Sequence, residues 1–211
     1  MEKYVSTISR RFSSGGHEIA RRMGELLGIP VYDRSAVEAR MQSEALDPNL
    51  FPEKPQSTGE EKEAPHPAKD LLRSLFRREA QEEADIEAKR EFEKQCAVMR
   101  ALAAEGSCII IGRCGDQVFR DHERSMHIFI YASTKQRIRN SMELLHTGEE
   151  EAAALIAAED RAREAYRKQF CESPDNEVDG RNILIDSGKF GVEATARLLA
   201  DAARELFLSD T

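Results

Sequence analysis

The sequence predicts an α/β protein built on a mainly parallel sheet, and three observations carry that reading. Short β-branched runs alternate with amphipathic helical stretches along the whole chain. Cys108-Ile109-Ile110-Ile111-Gly112 is wholly apolar before its glycine, the pattern of a strand covered by helices on both faces. Ser13-Ser14-Gly15-Gly16 separates the first strand from the first helix, which is where such sheets bind their ligands.

The elements follow in order. Tyr4-Val5-Ser6-Thr7-Ile8-Ser9 alternates and is rich in β-branched residues, so it reads as a strand. After the glycine loop, Ile19, Met23 and the pair Leu26-Leu27 share one helical face, and Gly28 is placed to end that helix. Ile29-Pro30-Val31-Tyr32 is a short second strand, whose proline suits a sheet edge or a strand start. Residues 46–67 hold five of the seven prolines, and residues 52–67 are almost devoid of apolar side chains. Such a stretch buries too little to offset its ordering entropy, so a disordered or mobile excursion is expected. A helix is predicted over 69–104. Leu71, Leu72, Leu75 and Phe76 anchor one end, and Phe92, Cys96, Met99 and Ala103 the other. Its charged middle, 77–91, fits a projecting lobe rather than a coiled coil, which needs an unbroken seam. Residues 126–131 form another strand, followed by a helix with Ile138, Met142 and Leu145 on one face. Residues 149–167 are helical and mostly charged, Ile183-Leu184-Ile185-Asp186 is a last strand, and Val192, Thr195, Leu199, Ala202 and Leu206 mark the buried stripe of a last helix.

The 211 residues suffice for one domain with a substantial core, or a core with small appended lobes. With 31 Lys+Arg against 39 Asp+Glu, the net charge of −8 argues against broad nucleic-acid binding, which wants a basic surface. A small basic pocket for one phosphorylated ligand remains compatible with it. Mean hydropathy is −0.57, and no apolar run approaches the roughly 18 residues that span a bilayer. Met-Glu-Lys-Tyr-Val lacks the basic and apolar regions of a secretory signal. Cys96, Cys108, Cys114 and Cys171 form no C-x-x-C pair and no zinc-type cluster with histidine. The expectation is a reduced, cytoplasmic protein that handles small molecules, without nucleic-acid or membrane partners.

Three clusters could carry chemistry. The stretch Ile8-Ser9-Arg10-Arg11-Phe12-Ser13-Ser14-Gly15-Gly16-His17-Glu18 is a strand–loop–helix junction, and helix N-termini offer free N–H groups to anions. Against the phosphate-loop pattern G-x-x-x-x-G-K-[ST], Arg11 stands for the first glycine, Gly16 for the second, His17 for the lysine and Glu18 for the hydroxyl residue. Without the resemblance below, the junction reads equally as a glycine-rich turn. Gly112-Arg113-Cys114-Gly115-Asp116 follows the buried strand. Arg113 there suits bidentate capture of a phosphate, or it is a surface arginine paired with Asp116. Glu159-Asp160-Arg161-Ala162-Arg163-Glu164-Ala165-Tyr166-Arg167 is a mixed-charge helix, read either as a solvated face or as a set of mobile cations. His66, His122, His127 and His146 have no ligand spacing, and His127 inside a strand reads as core or edge. Cys114 reads as a small packing residue.

Together the clusters resemble the cytidylate kinase-like proteins, a branch of the P-loop nucleoside monophosphate kinases. These open with I-S-R-E-[FY]-G-S-G-G-[RH]-E-I, matched here by Ile8 to Ile19. A G-[IV]-P-[FV]-Y-D element follows at Gly28-Ile29-Pro30-Val31-Tyr32-Asp33, then G-R-C-[AG]-D at Gly112 to Asp116. An F-I-Y-A-S strand at Phe129 to Ser133, an arginine-bearing lid helix and I-D-S-x-x-x-G at Ile185 to Gly191 complete the series. The resemblance covers both ends and the centre, leaving out residues 46–94.

The resemblance implies a P-loop NTPase-like three-layer sandwich with small helical monophosphate-binding and lid lobes. Residues 1–33, 96–147 and 176–211 would form the core, 34–95 the monophosphate-binding lobe and 148–175 the lid. It implies transfer of the ATP γ-phosphoryl, with Mg²⁺, to CMP or dCMP. Arg10, Ser13, Ser14, Gly15, Gly16, His17 and Glu18 would surround the donor phosphates, with His17 or Arg10 as cation; Glu18, by its own chemistry, reads either as a Mg²⁺ ligand or as an acid that suits a helix N-terminus. Asp33, Arg113 and Asp116 would bind the acceptor, and Arg161 and Arg163, with Arg167, would close over the reacting groups. Ser13 departs from the family's glycine, Arg11 from its acid, and His17 is a poorer permanent cation than lysine. Two other readings stand beside this one: a non-catalytic nucleotide-binding regulator, and a kinase of another small metabolite.

Overall fold

The computed structural model describes residues 2–44, 66–171 and 178–209. Most of the proline-rich excursion expected at 46–67 lies outside them. The chain runs β1 (Val5–Arg10), α1 (Gly16–Leu27), β2 (Val31–Tyr32), α2 (Arg34–Glu44), α3 (His66–Glu105), β3 (Cys108–Ile111), α4 (Gly115–Val118), β4 (Ser125–Tyr131), α5 (Thr134–Leu145), α6 (Glu149–Phe170), β5 (Ile183–Asp186) and α7 (Ser187–Phe207). The five strands make one sheet in the order β2-β3-β1-β4-β5, and every pairing is parallel. Parallel neighbours need a crossover, and here each crossover contains a helix on one face or the other, giving three layers.

The short strand β3 shows how the layers form. Ile109 and Ile111 pack into one core with Ile8, Ile19, Met23 and Leu199, so α1 and α7 cover that face. Cys108 and Ile110 point the opposite way, into a second core with Val37, Met99, Leu102 and Phe119 from α2, α3 and the end of α4. All four residues of β3 are buried, as its unbroken apolar run requires. Gly28 ends α1 in the left-handed conformation (φ 68°) with its N–H on the Gly24 carbonyl.

Two elements differ from the expectation. Helix α2 is anchored by a single buried residue, Val37, too few for a recognisable stripe; Asp33 Oδ1 caps it by accepting from the Ala36 N–H (3.0 Å). On α7 the buried face is Thr195, Ala196, Leu199, Ala200, Ala203 and Phe207, whereas Leu206, expected inside, is 56% exposed. Gly191 interrupts the helix with φ 77° and ψ 167°, and the phase downstream is set by Phe207 stacking on Tyr4 at 4.6 Å.

Register then creates the site. Val5 to Ile8 lie beside Cys108 to Ile111, while Ser9 and Arg10 continue beyond β3 alongside Phe129 and Ile130. The loops after β1, β3 and β4 therefore open on one edge of the sheet.

Candidate functional site

The loop from Arg11 to Gly15 is held by side chains distant in sequence. Asp160 on α6 accepts from the Phe12 N–H (2.8 Å) and pairs with Arg137 of α5 (2.6 Å). Asn140 donates to the Ser13 carbonyl (2.9 Å), and Ser187 donates to the Ser14 carbonyl (2.6 Å). Ser13 is left-handed at φ 60°, the angle that glycine would adopt without strain. The loop ends at Gly15 (φ 74°), the N-cap of α1, so the helix opens at Gly16. Counted from the helix, the last loop residue is Gly15, Gly16 is the first helical residue and His17 the second.

Two cavities flank this loop. One, of about 190 Å³, lies among Ser14, Gly15, Gln136, Asn140, Ser187 and Gly188. The other, of about 680 Å³, spans the ends of β1 and β3 beneath α6, and its described lining includes Arg10, Arg34, Arg113, Arg163, Arg167 and Arg181 with Glu159, Asp160 and Glu164. Its cations are fixed from several directions. Arg113, left-handed at φ 55°, pairs with Glu38 of α2 and lies 5.2 Å from the centre of the Tyr166 ring. Arg167 donates to both oxygens of buried Asp116 (2.9 and 2.7 Å). Arg163 donates to the Arg10 carbonyl (3.2 Å) and packs on Phe12. Burial is the main cause that lowers the pKa of Arg163.

The structure thus brings Arg10, Arg113, Arg163 and Arg167 to one cavity, with Asp116 beneath it. Arg161 is exposed on α6 and lines neither cavity, because a helix presents residues two apart to different sides. Asp116 holds Arg167 rather than Arg113. His17 is a little over half exposed, 3.7 Å from Asp33; the burial of its inner part first and Arg10 second hold its pKa below the usual histidine value. Both Glu18 oxygens accept from Arg21 (2.5 and 3.2 Å), so this carboxylate is engaged along the helix surface. Among the described residues, no three His, Cys, Asp or Glu side chains gather as a metal-binding group. Sequence reasoning missed Glu38, Arg137 and Asn140, none of which stands in a local motif, and gave no role to Ser187 within the I-D-S-x-x-x-G element. It also left Cys114 unpaired. The structure joins Cys114, the N-cap of α4, to Cys171, the C-cap of α6, tying the Arg113 loop to the end of the helix above it. His127 is buried in β4, with Nδ1 2.8 Å from Thr7 Oγ1, consistent with a core position.

A parallel sheet covered on both faces, with a glycine loop opening α1 at its carboxyl edge, defines a three-layer α/β protein of the P-loop kinase type. The chain belongs to the cytidylate kinase-like family, whose profile matches residues 5–189. Among solved structures it is similar to a protein from Eubacterium ventriosum, at 20% identity and a TM-score of 0.70, covering 97% of this chain and 99% of that one. It is also similar to TT1252 from Thermus thermophilus, at 22% identity and a TM-score of 0.50, over 98% and 99% of the two chains. APE1195 shares 17% identity at a TM-score of 0.50, over 98% and 97%. At these identities the likeness concerns the fold. No curated protein matches the sequence. No described helix is long and apolar enough to cross a membrane.

Proposed function

We propose that this protein transfers the γ-phosphoryl group of ATP to a nucleoside monophosphate, with CMP or dCMP as the acceptor. The observation that carries the reading is the arginine-lined cavity directly beside the glycine loop at the start of α1. Phosphoryl transfer asks little covalent work of a protein; it needs two phosphorylated ligands held in line and cations around a group that spreads negative charge. In this reading the donor phosphates cross the loop from Ser13 to His17, and the donor's uncharged part enters the neutral cavity at Gln136 and Ser187. The acceptor phosphate meets Arg113, whose guanidinium is pre-oriented by Glu38 and Tyr166. Asp33 borders a monophosphate-binding lobe begun by α2, and α6 serves as the lid, bringing Arg163 and Arg167. Mg²⁺ would enter with the triphosphate, since it favours phosphate oxygens and water over an all-protein cage. Glu18, turned to Arg21, does not fit a metal ligand as it is placed.

An ADP-release assay across CMP, dCMP, UMP and AMP tests the reading, with Arg113→Ala as control. Turnover that depends on a cytidine nucleotide, and falls about 10²–10³-fold in Arg113→Ala, is the expected result. One observation favours a second reading, a nucleotide-binding regulator without turnover: neither Gly16 nor His17 supplies the lysine of the general loop pattern. Calorimetric binding of ATP with no acceptor-dependent turnover would select it. Turnover only with a different phosphate-accepting metabolite would keep the transferase and change its acceptor.

A further inference from the structure

We propose that Arg10 supplies, from the end of β1, the phosphate-binding cation that the general loop pattern carries on its helix, and that Gly16 is a glycine because the Arg10 stem fills the space over it; Gly112, in the left-handed region at φ 73°, leaves room for the Arg10 guanidinium. The inference rests on the reading of this loop as a phosphate site, and adds the residue that makes it work without lysine.

The argument is steric first. Gly16, the first residue of α1, follows the N-cap glycine Gly15 as the pattern's lysine follows its last glycine. A Cβ at Gly16 would stand 2.9 Å from both Cβ and Cγ of Arg10, closer than side chains tolerate. A Cβ at Gly112 would collide with Arg10 Nη1. The Arg10 stem therefore crosses the first turn of α1, and its guanidinium reaches the end of β3, between the glycine loop and the Arg113 loop. A long side chain at position 16 and the observed Arg10 exclude one another: one cation has taken the other's place.

The electrostatics point the same way. Arg113, Arg137 and Arg167 each have a carboxylate partner, in Glu38, Asp160 and Asp116. Arg10 forms no such ion pair among the described residues, and its Nε is buried without a hydrogen-bond partner. Asp33 and Glu159 act on it only through space, while Arg163 and Arg113 repel it. Burial, then Arg163, bring its pKa down to about 10, which leaves it charged at neutral pH. A guanidinium placed in a partly dry site with no paired carboxylate is a receptor for an anion, and its planar fork matches a phosphate.

The test relocates the cation. MgATP binding is measured by calorimetry, and phosphoryl transfer by ADP release, for the wild type, Arg10→Ala, Arg10→Gln, Gly16→Lys and the double variant Arg10→Ala/Gly16→Lys. Circular dichroism checks folding, and Arg10→Gln, which retains a polar stem, decides the matter if the alanine variant misfolds. Loss of Arg10 should weaken MgATP binding about tenfold or more and slow transfer about 10²–10³-fold. Gly16→Lys alone should also impair both, because Arg10 blocks its path, and the double variant should recover at least tenfold over Arg10→Ala. A purely structural role for Arg10 would not produce that recovery. Wild-type binding and turnover in Arg10→Ala or Arg10→Gln, or a folded double variant no better than Arg10→Ala, overturns the proposal. If the wild type binds MgATP but transfers to no acceptor, the transferase reading falls and Arg10 is judged on binding alone. If the wild type does not bind MgATP, both fall.

Discussion

The two cavities beside the β1–α1 loop are built from opposite materials. The smaller, about 190 Å³ against about 680 Å³, is walled by hydroxyls, amides and glycines, with no charged side chain among its described residues. The larger is rich in arginine, gathered from β1, α2, the loop after β3, α6 and the segment before β5. The difference shows how a protein with net charge −8 can still gather cations in one cavity. The cations converge on one concave surface, where low-dielectric walls strengthen their field, while the excess acid stays elsewhere. In the proposed reading, a ligand with a charged and an uncharged end would be oriented across the loop before any chemistry occurs.

The largest expected effect comes from the clamp that holds the two regions together. Asp160 reaches both Arg137 and the Phe12 N–H, with both side chains of the ion pair largely buried. Asp160→Ala leaves Arg137 charged and without its carboxylate. It should cost about 3 kcal/mol in urea unfolding, with much of that loss recovered in Arg137→Leu/Asp160→Leu. A loss near zero for the single variant would mean that the loop is held by other contacts.

Ser187→Ala acts on the neutral side alone. Its hydroxyl lies 2.6 Å from the Ser14 carbonyl and 2.9 Å from the Tyr131 carbonyl. About 1 kcal/mol of stability should be lost, with the KM for ATP raised several-fold and that of the acceptor unchanged. Equal changes in both KM values would erase the division between the cavities.

The smallest effect is in pH. Burial depresses the pKa of both His17 and His127, and Arg10 adds to the depression only at His17. The unfolded chain takes up these protons near 6.5 and the folded chain at lower pH. The corresponding stability is therefore complete above about 6.5 and is lost as pH falls. Urea midpoints should decline from pH 7.5 toward 5.5. By NMR titration, Arg10→Gln should raise the pKa of His17 and leave that of His127 in place; an unmoved His17 would show that Arg10 does not reach it electrostatically.

Sequence alone determined the strands, the glycine loop, the stop at Gly28 and the placement of Arg113 after a buried strand. Each of these is a local pattern of side-chain period or backbone freedom. It failed at α2, where one anchor makes no stripe, and at the end of α7, where Phe207 rather than Leu206 takes the buried position against Tyr4. What only the tertiary structure decided is which charges meet. Arg113 finds Glu38, Arg167 finds Asp116 and Cys114 finds Cys171 across tens of residues, and Arg10 lies over Gly16 and Gly112. Composition and spacing report what lies within a helical turn or along a strand. Partners brought together by sheet register and helix packing leave no mark on that scale, because the chain between them is free to vary.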